Sequence, residues 1–206
     1  MKVLILVDLQ NDFCANGALE VPDANAVIPI ANDLIEKGTF DLVIATQDWH
    51  PANHKSFAAN HPWRKPGDLI DLGGLEQILW PIHCVQDSFG ALFVNDLNHS
   101  AIDFVFQKGT DVEIDSYSGF FDNGKRKATG LGAFLSEKGV KEVYVLGLAT
   151  DYCVKFTALD AVELGFKTFL LEDACRGVNL NEGDVEKALD TMKEQGVILL
   201  NSKELI

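Results

Sequence analysis

Val143-Tyr144-Val145-Leu146-Gly147-Leu148 is followed by Ala149-Thr150-Asp151-Tyr152-Cys153, then by Val154, Ala158, Ala161 and Val162 at helical spacing, then by Gly165 and the run Thr168-Phe169-Leu170-Leu171. The two apolar runs are continuous rather than alternating, which suits strands buried on both faces of a parallel sheet. The segment between them is an amphipathic helix closed by a glycine at the C′ position. The unit is therefore strand, helix, strand. The same grammar extends outward in both directions. Val3–Val7, Leu42–Ala45, Phe104–Phe106 and Val197–Leu200 read as further buried strands. Helical faces form from Val27, Ile30, Leu34 and Ile35 before Gly38, from Leu131, Phe134 and Leu135 before Gly139, and from Val185, Leu189 and Met192 before Gly196. Strands alternating with helices give an α/β fold with a doubly wound sheet, whose ligands bind beyond the carboxyl ends of the strands.

The chain has 206 residues, 17 Lys and Arg against 31 Asp and Glu, and a formal net charge of −14. This length suits a single domain over 1–206. The acidic balance argues against nucleic acid, which demands a basic footprint, and against an anionic membrane surface. No run approaches the ~18 apolar residues of a membrane span, and the apolar run near Met1 is too short for a signal peptide. Cys14, Cys84, Cys153 and Cys175 form no C-x-x-C pair, so a reducing cytoplasm is the expected compartment. A long region, 47–102, interrupts the rhythm with little strand pattern and many Pro, Asn, His and Trp residues. Loops of that length are uncommon unless they are functional.

Three chemically active groups sit at strand ends. Asp8 follows the first strand, Lys108 follows Phe104–Phe106, and Cys153 follows Val143–Leu148 and opens the next helix near Tyr152. A strand-end Asp is usually a cap, a lone Lys is usually solvated, and a lone Cys is usually core. Together they make a base, a charge that keeps the base ionised, and a nucleophile. A helix N-terminus favours thiolate over thiol and offers N–H groups to an oxyanion. The other three cysteines lack that placement.

Asp48-Trp49-His50 follows the second strand. Residues two apart in extended chain face the same way, so Asp48 and His50 can address one ion. His83, in Trp80-Pro81-Ile82-His83, supplies a third ligand. Three protein ligands leave open positions, as at catalytic metal sites. His54 is a further candidate ligand, although a supporting or surface role is the stronger reading of it. Mixed carboxylate and imidazole ligation suits one divalent ion, zinc first, with manganese or iron also compatible.

These motifs resemble the nicotinamidases (pyrazinamidases) of the isochorismatase-like cysteine hydrolase superfamily, almost end to end. The carriers are Val7-Asp8-Leu9-Gln10-Asn11-Asp12-Phe13-Cys14, Thr46-Gln47-Asp48-Trp49-His50-Pro51, Trp80-Pro81-Ile82-His83-Cys84, Lys108-Gly109-Thr110, Asp115-Ser116-Tyr117-Ser118-Gly119-Phe120 and Gly147-Leu148-Ala149-Thr150-Asp151-Tyr152-Cys153-Val154. The resemblance implies a three-layer α/β/α fold with a six-stranded parallel sheet in the order 3-2-1-4-5-6. It implies a triad of Asp8, Lys108 and Cys153, with Ala149 and Cys153 forming the oxyanion hole across a cis Leu148–Ala149 bond. Phe13 and Trp80 would sandwich the substrate ring and Tyr117 would wall the pocket. The implied reaction is hydrolysis of nicotinamide, and of pyrazinamide, to the acid and ammonia through a Cys thioester, in NAD salvage. The loop 55–79 follows no family pattern, and oligomeric state stays open.

Three rival readings remain at this stage. Another amidase of the superfamily, acting on a carbamoyl or ureido substrate, would not need Asp48, His50 and His83. A Cys-His hydrolase is conceivable, although His50 and His83 look committed to metal. A non-catalytic binding or redox module would use Cys153 as an exposed thiol.

Overall fold

The computed structural model describes residues 1–206. Six parallel strands form the central sheet: β1 Lys2–Val7, β2 Leu42–Asp48, β5 Phe104–Lys108, β6 Glu142–Leu148, β7 Lys167–Arg176 and β8 Ile198–Leu200. Their spatial order is β5-β2-β1-β6-β7-β8, which is 3-2-1-4-5-6 among main-sheet strands. All six expected strands are present, and several run longer than expected. The order reverses between β1 and β6, where the crevice of a doubly wound sheet opens.

Helices α1 Val27–Lys37, α2 Leu131–Glu137, α3 Lys155–Glu163 and α4 Asp184–Glu194 complete the alternation. The core is one cluster around β1, where Val3 to Val7 are wholly buried, and β6. Burial of such aliphatic side chains contributes roughly 1.5–3 kcal/mol each.

Three details depart from the sequence reading. In α1 the buried face is Val27, Ile28, Ala31 and Leu34, with Ile30 and Ile35 only half-buried. The burial stripe includes small Ala31, which a reading weighted to large aliphatics passes over. Gly139, Gly165 and Gly196 close their helices with positive φ, but Gly38 is extended at φ −68°. Gly38 is required for space instead: a Cβ there would lie 2.3 Å from Leu34 O and 2.4 Å from the Phe40 ring. Finally, β5 is not buried on both faces. It is an edge strand, with Phe104 and Val105 exposed and Phe104 packed on Phe134 of α2.

The region 47–102 holds an unexpected antiparallel hairpin, β3 Leu69–Leu72 with β4 Leu75–Ile78, joined by Gly73-Gly74. Both glycines have positive φ, as a tight two-residue hairpin turn needs. No helix is long and apolar enough to cross a membrane.

Candidate active site

The carboxyl ends of β1, β2, β5 and β6 deliver the chemistry to one place. Asp8 directly follows β1 and turns the chain with φ +50°. Lys108 is the last residue of β5 rather than a residue beyond it. Cys153 lies inside a π turn, Thr150–Val154, that feeds α3. It therefore stands two residues ahead of Lys155, where the α-helix proper begins.

Lys108 is completely buried and binds everything around it. Its Nζ lies 2.9 Å from Asp8 Oδ2, 3.0 Å from Ser116 O and 3.4 Å from Cys153 Sγ, and it also pairs with Asp48 Oδ1. Thr46 donates its hydroxyl to Asp8 Oδ1 at 2.7 Å. Asp8 Oδ2 pairs with the Lys108 ammonium and makes no other hydrogen bond. A carboxylate oxygen beside a thiol is what a base needs. The reactive atoms of Asp8, Asp48 and Cys153 all lie within 4.8 Å of one another.

Burial pushes the Cys153 thiol well above the ordinary cysteine range; Lys108 opposes the shift, and Asp8 and Asp48 add to it. Burial thus opposes the pull toward thiolate that a helix terminus exerts. Desolvation favours the neutral thiol, so the thiol needs a base. Burial also raises Asp8, against the pull of Lys108 and with a push from Asp48. For Asp48, burial acts upward, but Lys108, His50 and His83 outweigh it and hold the carboxyl well below its usual range. Lys108 stays an ammonium, because the two carboxylates overcome its burial. One cation is shared by two acids of unequal basicity, and the more basic acid is the one beside the thiol.

On the other side of Asp48 stand His50 and His83, with Nε2 atoms 3.5 and 3.8 Å from Asp48 Oδ2. The three ligand atoms form one cluster, and all three residues are buried. His50 Nδ1 is 2.9 Å from Gly109 O, and His83 Nδ1 is 2.8 Å from Pro81 O. A carbonyl can only accept, so both Nδ1 atoms carry a proton, and both Nε2 atoms are turned toward Asp48. Backbone carbonyls orient metal-binding histidines in this way. Gly109 fits by necessity: with φ +65°, a Cβ there would lie 2.3 Å from the His50 ring.

His54 is wholly buried, so a surface role is excluded. Its ring packs 4.5 Å from that of His50, and its Nδ1 is 2.7 Å from Ser56 Oγ. It groups with His50 and Asp115, not with Asp48 and His83.

Phe13, Trp80, Tyr117, Ala149 and Cys153 line one chamber with Asp48, His50 and His83. Every expected site residue except Asp8, Lys108 and His54 borders that chamber, and Asp8 and Lys108 lie directly behind Cys153. Asp115, Tyr152, Leu19 and Val178 also line it, and none had been assigned a role. Asp115 and Tyr152 stand inside quoted motifs, and a buried carboxylate two residues before Tyr117 was a usable signal. Leu19 and Val178 carry no sequence signal.

The Isochorismatase domain profile matches residues 2–204. The chain belongs to the isochorismatase family. Within it, the nicotinamidase of Escherichia coli strain K12 is 50% identical over 203 residues, covering 96% of this chain and 93% of that protein. The solved Acinetobacter nicotinamidase/pyrazinamidase superposes with a TM-score of 0.96 at 47% identity, covering 100% of this chain and 98% of that one. The pyrazinamidase of Pyrococcus horikoshii, solved in complex with zinc, superposes with a TM-score of 0.77 at 40% identity, covering 97% and 98%. In this isochorismatase-family chain the cysteine side and the histidine side of the chamber are only one carboxylate apart, because Asp48 touches both Lys108 and the imidazoles.

Proposed function

We propose that this chain, as one domain, hydrolyses nicotinamide to nicotinate and ammonia, and accepts pyrazinamide. The observation that carries the reading is the joint wall of one chamber. A buried Asp8, Lys108 and Cys153 set meets two imidazole Nε2 atoms converging on Asp48. The carbamoyl and ureido alternatives give no reason for the second half of that wall. The buried Cys153 speaks against an exposed redox thiol.

Asp8 Oδ2 takes the thiol proton, and Sγ attacks the carboxamide carbon. The C–S bond forms as the carbonyl π pair moves to oxygen, where the backbone N–H groups of Ala149 and Cys153 receive the negative charge. Asp8 then gives its proton to the leaving nitrogen, and ammonia departs with the C–N pair. Water, deprotonated by Asp8, attacks the thioester; the C–S bond breaks and Cys153 regains its proton. Lys108 keeps Asp8 oriented and charged. Phe13 and Trp80 hold the ring faces, with Tyr117 as the wall.

The donor set fits a divalent metal, since a carboxylate oxygen and two imidazole Nε2 atoms converge in one buried cluster. Asp48, His50 and His83 would hold it, zinc being the first choice, in line with the zinc-bound Pyrococcus relative. Bound there, the ion supplies a contact for the ring nitrogen, which positions the substrate. His54 supports His50 from behind. His83→Ala is expected to cut metal content measured by elemental analysis, and chelation is expected to inactivate the wild type. Full occupancy in that variant would transfer the third position elsewhere.

Ammonia release from three amides tests the whole reading. Nicotinamide and pyrazinamide are expected to be good substrates. Benzamide has the same amide and nearly the same shape, but no ring nitrogen. A site built around a polar contact rejects an analogue lacking it far more strongly than an apolar pocket rejects a size change. Its kcat/KM is expected to fall by at least about 10²-fold, the scale of a lost orienting contact. Comparable rates for benzamide and nicotinamide would make the protein a general aryl amidase.

A further inference from the structure

The β3–β4 hairpin sends one polar side chain inward. Gln77, on β4, is buried, and its amide nitrogen lies 2.7 Å from Ile78 O, 3.1 Å from Asp115 Oδ2 and 3.2 Å from Tyr117 Oη. Two amide hydrogens thus serve three acceptors. Trp80, two residues past the end of β4, donates its indole N–H to the same Tyr117 oxygen at 3.1 Å.

A phenol oxygen has two lone pairs and one proton. Gln77 and Trp80 occupy both lone pairs, so the Tyr117 O–H is left able only to donate. No group of the protein accepts that proton. Tyr117 borders the chamber, and burial pushes its phenol well above the ordinary tyrosine range, so the proton stays on. Asp115 shares the tether. Its Oδ2 faces Gln77, its Oδ1 accepts from Ser116 N at 2.8 Å, and it too lines the chamber.

We infer that Gln77 is a positioning residue for substrate binding: with Trp80 it makes Tyr117 an obligate hydrogen-bond donor and fixes the Tyr117 wall of the chamber. This rests on the nicotinamidase reading and gives the loop 55–79 a task. The hairpin is held where Gln77 can reach, since Leu79 N–H donates to Asp68 O at 2.8 Å and Trp80 N–H to Ser56 O at 2.8 Å. The chamber wall is thereby built partly from a segment outside the main sheet.

Gln77→Leu keeps similar volume and removes the amide. Freed of one donor, Tyr117 Oη can accept again and its O–H can turn away. KM for nicotinamide is expected to rise about tenfold or more, with kcat within about threefold and metal content unchanged, because a wall contact made equally in ground and transition states changes KM alone. In a Tyr117→Phe background the same substitution is expected to change KM by less than about twofold, since coupled residues lose their effect together. An equal rise in both backgrounds, or none in either, would overturn the inference. The Trp80 indole N–H resonance gives a readout that needs no turnover. It is expected to shift in Gln77→Leu, and the Tyr117→Phe shift is expected not to grow in the double variant. An unmoved resonance in Gln77→Leu also overturns the inference. A wild type that releases no ammonia from nicotinamide overturns the nicotinamidase reading instead, and the resonance then decides the role of Gln77 by itself.

Discussion

Replacing Cys153 by alanine is expected to lower kcat for nicotinamide by at least about 10⁴-fold, as removal of a covalent nucleophile does elsewhere, while nicotinate still binds. The expectation rests on placement. Four cysteines are buried and free, yet only Cys153 has its sulfur 3.4 Å from a buried ammonium and beside the Asp8 carboxylate. Cys84 Sγ contacts Gly90 O at 3.9 Å, and Cys175 Sγ contacts Leu171 O at 3.3 Å; both look onto backbone. Burial pushes Cys14 up to about 11 and Cys175 up to about 12. Cys14→Ser and Cys175→Ser are therefore expected to keep turnover, at some cost in stability from a hydroxyl placed in the core. Mass spectrometry of wild type quenched during turnover should find the acyl group on the peptide containing Cys153. Turnover of Cys153→Ala within tenfold of wild type would remove Cys153 from the reaction.

The parts of this molecule legible in the sequence are those whose signal is local. Continuous β-branched and aliphatic runs announced each main-sheet strand, and Asp8, Lys108 and Cys153 declared themselves by standing at strand ends. Asp48 and His50 were readable from a period of two in extended chain, and the His50 backbone does continue as extended chain, bridging to Val85. The hairpin escaped because its strands carry charge and exposure: Leu69 and Asp71 face solvent, and the pairing is signalled only by Gly73-Gly74. Gln77 escaped with it. The full burial of the thiol escaped for another reason. Sequence places Cys153 near a helix start, but only three dimensions reveal that Asp8 and Asp48 stand beside it in a fully buried site, where desolvation governs. The double exposure of Phe104 and Val105 likewise follows from strand order, which no local run encodes.

Asp8→Asn and Lys108→Met are each expected to lower kcat by at least about 10³-fold, and the double variant is expected to be no more than about threefold worse than the poorer single, because residues acting as a unit lose their effect at the first deletion. Asn at position 8 cannot take the Cys153 proton. Without the ammonium, Asp8 and Asp48 are left as two buried carboxyls whose mutual repulsion favours a shared proton. A base that already holds a proton cannot accept another, so the loss of Lys108 disables the same step by a different route. Removing one partner from such a buried ion pair also destabilises the fold, by about 3–5 kcal/mol. Methionine is preferred to alanine because it keeps the stem volume and limits that cost. Thermal unfolding separates the two effects: the double variant replaces both Asp8 and its cation, leaves only Asp48 charged, and is expected to unfold at a higher temperature than Lys108→Met alone. Multiplicative losses in kcat would mean that Asp8 and Lys108 serve separate steps. A Lys108→Met enzyme with near-normal kcat would mean that the cation holds the fold together and leaves the base to act unaided.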